Sequence, residues 1–265
     1  MYLSRQNRRS ALESHRKVLG QHFLRSRDIA KDIISKADLR RSDIVLEIGT
    51  GSGTLTREIS PHVNKVITYE KDPALFSKAV GILSCDKNIN LIEGDIFEKL
   101  SLSSTFDVCI TSLPYSRSLD FIHWLAEKSG NFRSAYAVLQ EDFVDKIQSV
   151  PNCRRYRAVS VIAQLSFNIT RLMKIDRSNF DPSPKVQSAL VKFEANTNFH
   201  QPFLDHQKIE LIVRIFSFRG RMLRVALRHM NHLTVIENVL PNLLIKRIED
   251  LTPAEFGEVL IQISK

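Results

Sequence analysis

The run Ile44-Val45-Leu46-Glu47-Ile48 passes directly into Gly49-Thr50-Gly51-Ser52-Gly53, after which Leu55 to Ile59 has helical character. A short apolar run, a glycine turn and a helix in succession make a strand, turn and helix unit, whose small residues let backbone approach a ligand. The glycines stand at the first, third and fifth places of the turn and Thr54 holds the sixth. A dinucleotide fingerprint needs glycine at that sixth place, so NAD binding is disfavoured. Glu70 ends the next apolar run, twenty-one positions after Gly49. A carboxylate there can accept both ribose hydroxyls of an adenosine. The combination points to an adenosine-containing cofactor without a pyrophosphate.

The alternation continues along the chain. Asp28 to Ala37 places Ile29, Ala30, Ile33, Ile34 and Ala37 at helical spacing, and apolar runs recur at Lys65–Tyr69, Ile89–Ile92 and Val108–Thr111. Strands separated by helical segments imply a parallel sheet. Ala135–Gln140, Arg157–Phe167 and Ser188–Phe193 read as later strands of it. From Ala195 to Gln201 the chain turns polar, and helix-period apolar residues follow over Lys208–Leu227 and Glu249–Ile263. Thr252-Pro253 supplies an N-cap with proline at the first helical position of the last helix. The expected architecture is α/β: a basic N-terminal arm (1–19), a Rossmann-like catalytic domain (20–195) with helices on both faces of its sheet, and a small C-terminal all-α domain (196–265).

Thirty-eight Lys and Arg against 29 Asp and Glu give a formal charge of +9. Such a field attracts polyanions, which makes nucleic acid the leading partner class, with a merely basic enzyme as the alternative. Cys85, Cys109 and Cys153 are odd in number and form no CxxC pair, so neither a disulfide framework nor a zinc site is indicated and a reducing cytoplasm fits. The histidines form no ligand-spaced set, and no apolar stretch is long enough to span a bilayer. Met1 to Lys17 is rich in Arg and Ser, with Glu13 its one acidic residue. It lacks the apolar core of a secretory signal and reads as an RNA-contacting arm or, alternatively, an organellar transit sequence.

Glu47-Ile48-Gly49-Thr50-Gly51-Ser52-Gly53 with Glu70 resembles the S-adenosylmethionine-binding motif of Rossmann-like methyltransferases, and Gly94-Asp95 resembles the position where Asp recognises the cofactor's adenine amine. Thr111-Ser112-Leu113-Pro114-Tyr115 follows the fourth strand, at the edge where open α/β sheets place ligands. The lone pair of an adenine N6 is delocalised into its ring, so methylation calls for acceptors that hold the amine in line with the sulfonium methyl, and for a stacking ring. Backbone carbonyls of this turn, the Ser112 hydroxyl and Tyr115 can supply them. Two prolines stiffen Phe180-Asp181-Pro182-Ser183-Pro184-Lys185-Val186-Gln187-Ser188, a loop able to hold Phe180 over a flipped base.

Across nearly its whole length the chain resembles the KsgA/Erm family of ribosomal RNA adenine N6-dimethyltransferases, in its KsgA-like branch. Gly20-Gln21-His22-Phe23-Leu24 is similar to the family's cofactor-lid motif, Ser112-Leu113-Pro114-Tyr115 to its Asn-Leu-Pro-Tyr, and Phe180 to Ser188 to its F-x-P-x-P-x-V-x-S. Gln140-Glu141 with Tyr156 and Ser160 matches a further stretch. Three places depart from the pattern: Ser112 replaces Asn, Pro151-Asn152 replaces Pro-Gly, and Arg219-Gly220-Arg221 stands where paired basic residues are usual. The resemblance implies dimethylation of adjacent adenines near the 3′ end of small-subunit rRNA, with S-adenosylmethionine as donor. It assigns Gln21, His22, the backbone of Leu24, Glu47, Gly49, Gly51, Gly53, Glu70, Asp95 and Ser112 to the cofactor, and Ser112, Leu113, Pro114, Tyr115 and Phe180 to catalysis.

Arg214, Arg219, Arg221, Arg224 and Arg228 lie in a stretch without acidic residues, and the spacing of 214, 221 and 228 by sevens predicts one helix face tracking RNA phosphates. Ribosomal RNA or a small-subunit precursor is the expected partner, with the protein acting as a monomer. Two rivals stay open: an inactive RNA-binding homologue serving as an assembly or transcription factor, and a small-molecule methyltransferase.

Overall fold

The computed structural model describes residues 22–98, 105–201 and 203–264. Nine strands are present among them: β1 (Phe23–Leu24), β2 (Ile44–Ile48), β3 (Lys65–Glu70), β4 (Ile89–Glu93), β5 (Val108–Thr111), β6 (Ser134–Gln140), β7 (Phe167–Ile175), β8 (Phe180–Asp181) and β9 (Ser188–Ala195). β1 pairs with β8 in a small antiparallel ribbon, and the rest form one sheet in the order β4-β3-β2-β5-β6-β9-β7. β2 to β6 run parallel, and β9 is antiparallel to β6 with Ser188 opposite Gln140. Strands buried on both faces read as continuous apolar runs, which is why β2 and β5 show so plainly in the sequence. The chain goes from β2 to β3 on one side and later to β5 on the other, so the end of β2 is a topological switch point, the place where such sheets bind ligands.

The chain packs into two compact units. The first holds the described residues up to Ser118 with 131–141 and 170–193. In it, α1 (Arg27–Lys36) buries Ala30, Ile33 and Ile34 and begins at Ser26, whose hydroxyl accepts the Ile29 N–H. α1 packs on α2 (Thr54–Ile59), while α3 (Pro73–Leu83) is capped by Asp72 and has proline at its start.

The second unit combines 119–130 and 142–169 with 194–265. It contains most of α4 (Ser118–Glu127) and α5 (Glu141–Ile147), then α6 (Ala158–Ser166), α7 (His206–Phe216), α8 (Leu223–His229), α9 (Leu233–Glu237), α10 (Pro241–Leu244) and α11 (Pro253–Ile263). Phe216 stacks on Phe256, and the buried Tyr156 meets Phe216 edge-on while its hydroxyl donates to Leu251 O at 2.8 Å. Gly257 lets the Phe199 ring approach α11, since a Cβ there would lie 2.7 Å from that ring.

Two sequence expectations need correction. Arg157–Phe167, read as a strand, is helix α6 followed by the start of β7. Its residues are buried around nearly the whole circumference, so no period marks it as helical, and Ser160 closes its first turn by accepting the Arg157 N–H. The single helix expected over Lys208–Leu227 is two, α7 and α8, because Gly220 (φ +88°) turns the chain between them. Arg214, Arg221 and Arg228 therefore fall on α7, the turn and α8, not on one helix face.

Glu47 is wholly buried in the middle of the sheet. Its Oε2 accepts the hydroxyls of Thr56 and Thr68, Thr68 in turn meets Thr50, and Oε1 has no partner among the described residues. Burial pushes this carboxyl from 4.5 to about 7, against the pull of the two hydroxyls. The folded state thus favours the protonated acid. The stability this gives is complete below the ordinary value of 4.5 and is lost as pH rises through about 7. Wild-type Tm is expected to fall between about pH 5 and about pH 8, and Glu47→Gln to flatten that fall. Equal slopes in the two proteins would assign the pH dependence to other groups.

Candidate active site

Gly49, Gly51 and Gly53 all have positive φ, so the turn after β2 folds back sharply, and the Gly49 N–H donates to Tyr69 O at 2.9 Å. A Cβ on Gly51 would lie 3.1 Å from the Phe23 ring. At the end of β3 the Glu70 carboxylate ties the turn to the neighbouring strand: Oε2 accepts the Gly51 N–H at 2.8 Å and Oε1 the Asp72 N–H at 2.9 Å. Burial raises the Glu70 pKa above its ordinary value although these N–H groups favour the anion. A carboxylate has about four acceptor positions, so both oxygens keep capacity for a diol.

These residues border a cavity of about 500 Å³ lined by Gly49, Glu70, Asp95, Phe97, Leu113 and Pro114 among others. A smaller hollow beside it shares Gly49, Glu70 and Pro114 and adds His22, Gly51 and Ser112. Asp95 sits on the wall with its Oδ2 held by Lys71 at 2.9 Å and Arg117 at 2.8 Å, and its Oδ1 accepts the Phe97 N–H. Burial opposes its ionisation, but Lys71, the Phe97 N–H and Arg117 outweigh that and hold it below the ordinary carboxylate range. Arg117 also lies over the Phe97 ring, 5.0 Å from its centroid.

The turn after β5 meets the same cavities. Ser112 and Pro114 line the smaller one, Leu113 and Pro114 the larger, and the Ser112 hydroxyl has no hydrogen-bond partner among the described residues. The Tyr115 hydroxyl lies 2.6 Å from the hydroxyl of Ser188, which is itself buried. The Tyr115 ring stands 5.3 Å from that of His22, and His22 Nδ1 donates to Pro182 O at 2.6 Å. A carbonyl only accepts, so the His22 proton sits on Nδ1. Three motifs far apart in sequence are thereby locked around one aromatic ring. Ser188 was visible as the last letter of its motif, but nothing in the motif assigned it a role.

Other expected site residues lie elsewhere. Phe180, expected to stack on a base, is 4% exposed in the hydrophobic core with Leu24, Ile175 and Leu190, because its strand pairs with β1 and turns the ring inward. Glu47 lines neither cavity and supports the turn from below. The side chain of Leu24 is buried opposite Phe180, which leaves only its backbone for a ligand, and Gly53 caps α2 against Leu83. Gln21 and the basic arm lie outside the described residues. Arg214, Arg219, Arg221, Arg224 and Arg228 are all exposed.

The residues present fit S-adenosylmethionine. Glu70 offers acceptors to a ribose, and Phe97 and Leu113 give apolar walls to a purine. Comparison with known proteins agrees. The family model described as ribosomal RNA adenine dimethylase matches residues 12–261. A Methanosarcina barkeri protein named probable ribosomal RNA small subunit methyltransferase A is 33% identical over 90% of this chain and 84% of its own. The dimethyladenosine transferase of Candida glabrata is 31% identical over 83% of this chain and 69% of its own. The crystal structure of a dimethyladenosine transferase from Plasmodium falciparum superposes with a TM-score of 0.76 at 26% identity, covering 92% of this chain and 98% of that one. The chain belongs to the ribosomal RNA adenine dimethylase family.

Proposed function

We propose that this protein uses S-adenosylmethionine to dimethylate the N6 of adenines in ribosomal RNA, and that its targets are adjacent adenines near the 3′ end of the small-subunit rRNA. The observation that carries the reading is the junction of two hollows: a ribose-ready carboxylate and glycine turn share walls with Ser112 and Pro114. When bound, the cofactor supplies an electrophilic methyl carbon. The chain's own residues do the rest. Glu70 and the glycine turn fix the donor, the Ser112 hydroxyl and the backbone of the turn accept from the amine, and Tyr115 stacks on the base. No general base is required, because the proton is lost after the methyl has moved. The exposed arginines of residues 196–265 hold RNA by its phosphates. The protein acts as a monomer in the cytoplasm, and no described helix is long and apolar enough to cross a membrane.

The test is incubation with labelled S-adenosylmethionine and immature small ribosomal subunits, followed by nucleoside analysis and position mapping. N6,N6-dimethyladenosine at two adjacent positions is expected. RNA that binds tightly without acquiring label would instead make the chain an RNA-binding factor. Ser112→Asn restores an amide oxygen where a hydroxyl now stands, so turnover is expected to hold or rise, by up to about fivefold if one hydrogen bond of about 1 kcal/mol strengthens in the transition state. A collapse of turnover in that variant would assign Ser112 a different role.

A further inference from the structure

We infer that Arg117 is a positioning residue of the donor site: it sets Asp95 and Phe97 as one purine-recognising face, and so makes the site select an amino purine over an oxo purine. The inference rests on the reading of S-adenosylmethionine as donor and adds a specificity determinant that none of the sequence motifs contains.

Arg117 ends a single tight helical turn, Tyr115–Arg117, just beyond the Ser112–Tyr115 motif. Its main chain stays with that motif, since its N–H donates to Pro114 O at 2.9 Å. Its side chain crosses to the donor side, where it lines the larger cavity with Asp95 and Phe97. One guanidinium nitrogen donates to Asp95 Oδ2 at 2.8 Å, and the guanidinium carbon lies 5.0 Å from the centre of the Phe97 ring. The first contact is an ion pair to a carboxylate whose side chain is only 6% exposed, and the second lies within cation–π range. Both partners belong to the loop after β4, which leaves its strand at Gly94 (φ +138°) with the Gly94 N–H on Glu70 O at 2.8 Å. The purine-facing loop is therefore tied to the strand that carries Glu70 and, through Arg117, to the acceptor turn.

The consequence for a purine follows from counting acceptors. A carboxylate has about four acceptor positions. Asp95 Oδ2 takes Lys71 at 2.9 Å and Arg117 at 2.8 Å, and Oδ1 takes the Phe97 N–H at 3.0 Å. The position left on Oδ1 can only accept. An exocyclic amine fills it, whereas a carbonyl at the same place on the ring sets two acceptors against each other and leaves both unsatisfied. This discrimination needs the carboxylate held in one orientation. Lys71 is a weak tether, 62% exposed and shared with Glu98, while Arg117 is steadied by the Phe97 ring and by the turn that carries it. Without Arg117, burial of Asp95 is opposed by one cation fewer, its carboxyl moves up toward the ordinary range, and its two oxygens are free to exchange places.

The experiment titrates the full chain, by calorimetry, with S-adenosylhomocysteine and with S-inosylhomocysteine, in which a carbonyl replaces the purine amine. Wild-type protein is expected to prefer the adenosyl ligand by at least about tenfold, the equivalent of one hydrogen bond to a charged acceptor. Arg117→Ala and Arg117→Met are expected to bring that preference to within about threefold by weakening the adenosyl ligand, with affinity for the inosyl ligand nearly unchanged. Arg117→Lys keeps a cation beside Asp95 and is expected to retain more of the preference than Arg117→Met, which covers Phe97 without donors. A loosened fold lowers both affinities by the same factor and leaves their ratio, so a wild-type ratio in the alanine and methionine variants overturns the role of Arg117. A lysine variant no more selective than the methionine one does the same. Wild-type protein that binds the adenosyl ligand without preference overturns the inference alone, whereas wild-type protein that binds neither ligand overturns the donor reading and the inference with it.

Discussion

Tyr115→Ala lowers RNA methylation by about 100-fold at saturating cofactor while the Kd for S-adenosylmethionine stays within about twofold of wild type. The magnitude follows from base stacking, worth roughly 1–3 kcal/mol per base, with about 1.4 kcal/mol for each factor of ten. The separation follows from geometry: Tyr115 lines neither hollow that the glycine turn and Glu70 border, and its ring is fixed by Ser188 and His22. Ser188→Ala keeps the ring but unties its hydroxyl, so the ring is held less firmly, and should cost up to about tenfold in kcat, as should Tyr115→Phe. Because both remove the same bond, the double variant Tyr115→Phe/Ser188→Ala should be no worse than either alone. Radioligand binding and single-turnover methylation separate the two quantities. If Tyr115→Ala weakens cofactor binding as much as it slows transfer, the ring belongs to the donor site and the assignment fails.

What could be read in the sequence depended on how local the cause was. The β2 strand, its glycine turn and Glu70 show themselves because buried parallel strands leave unbroken apolar runs and a tight turn demands glycine. The Ser112–Tyr115 turn was legible for the same reason. Long-range features were not. Nothing between Phe180 and Leu24 announces that they pair, so a motif aromatic read as a base platform proves to be core. The seven-residue spacing of arginines assumed a helix that Gly220 interrupts. α6 looked like a strand because a helix buried nearly all round has no polar face to reveal its period. The bond from Ser188 to Tyr115 spans seventy-three positions, a distance over which no spacing rule reaches.

Glu70→Ala is expected to raise the Kd for S-adenosylmethionine by at least about 100-fold, with kcat recovered at saturating cofactor. Two hydrogen bonds from ribose hydroxyls to a charged group contribute about 1.5–3 kcal/mol each, and the variant also strips the Gly51 and Asp72 N–H groups of their acceptor. These bonds lie far from the reacting atoms and are the same before and during transfer, so their loss appears in KM and not in kcat. Glu70→Gln should fall between the two proteins, since its amide presents one acceptor and one donor to a pair of N–H groups that both need acceptors. The pH dependence gives an independent sign. Because burial raises the Glu70 pKa, acidification neutralises it earlier than an ordinary carboxylate, and cofactor affinity should fall as pH drops through that range. Fold stability from the same group moves oppositely, present in acid and lost as pH rises through the raised value. Wild-type protein should therefore bind cofactor less well while melting higher as pH is lowered, and Glu70→Gln should show neither trend from this site. Isothermal titration and thermal melts across pH check both, and a Glu70→Ala protein that binds the cofactor with wild-type affinity would remove the carboxylate from the donor site.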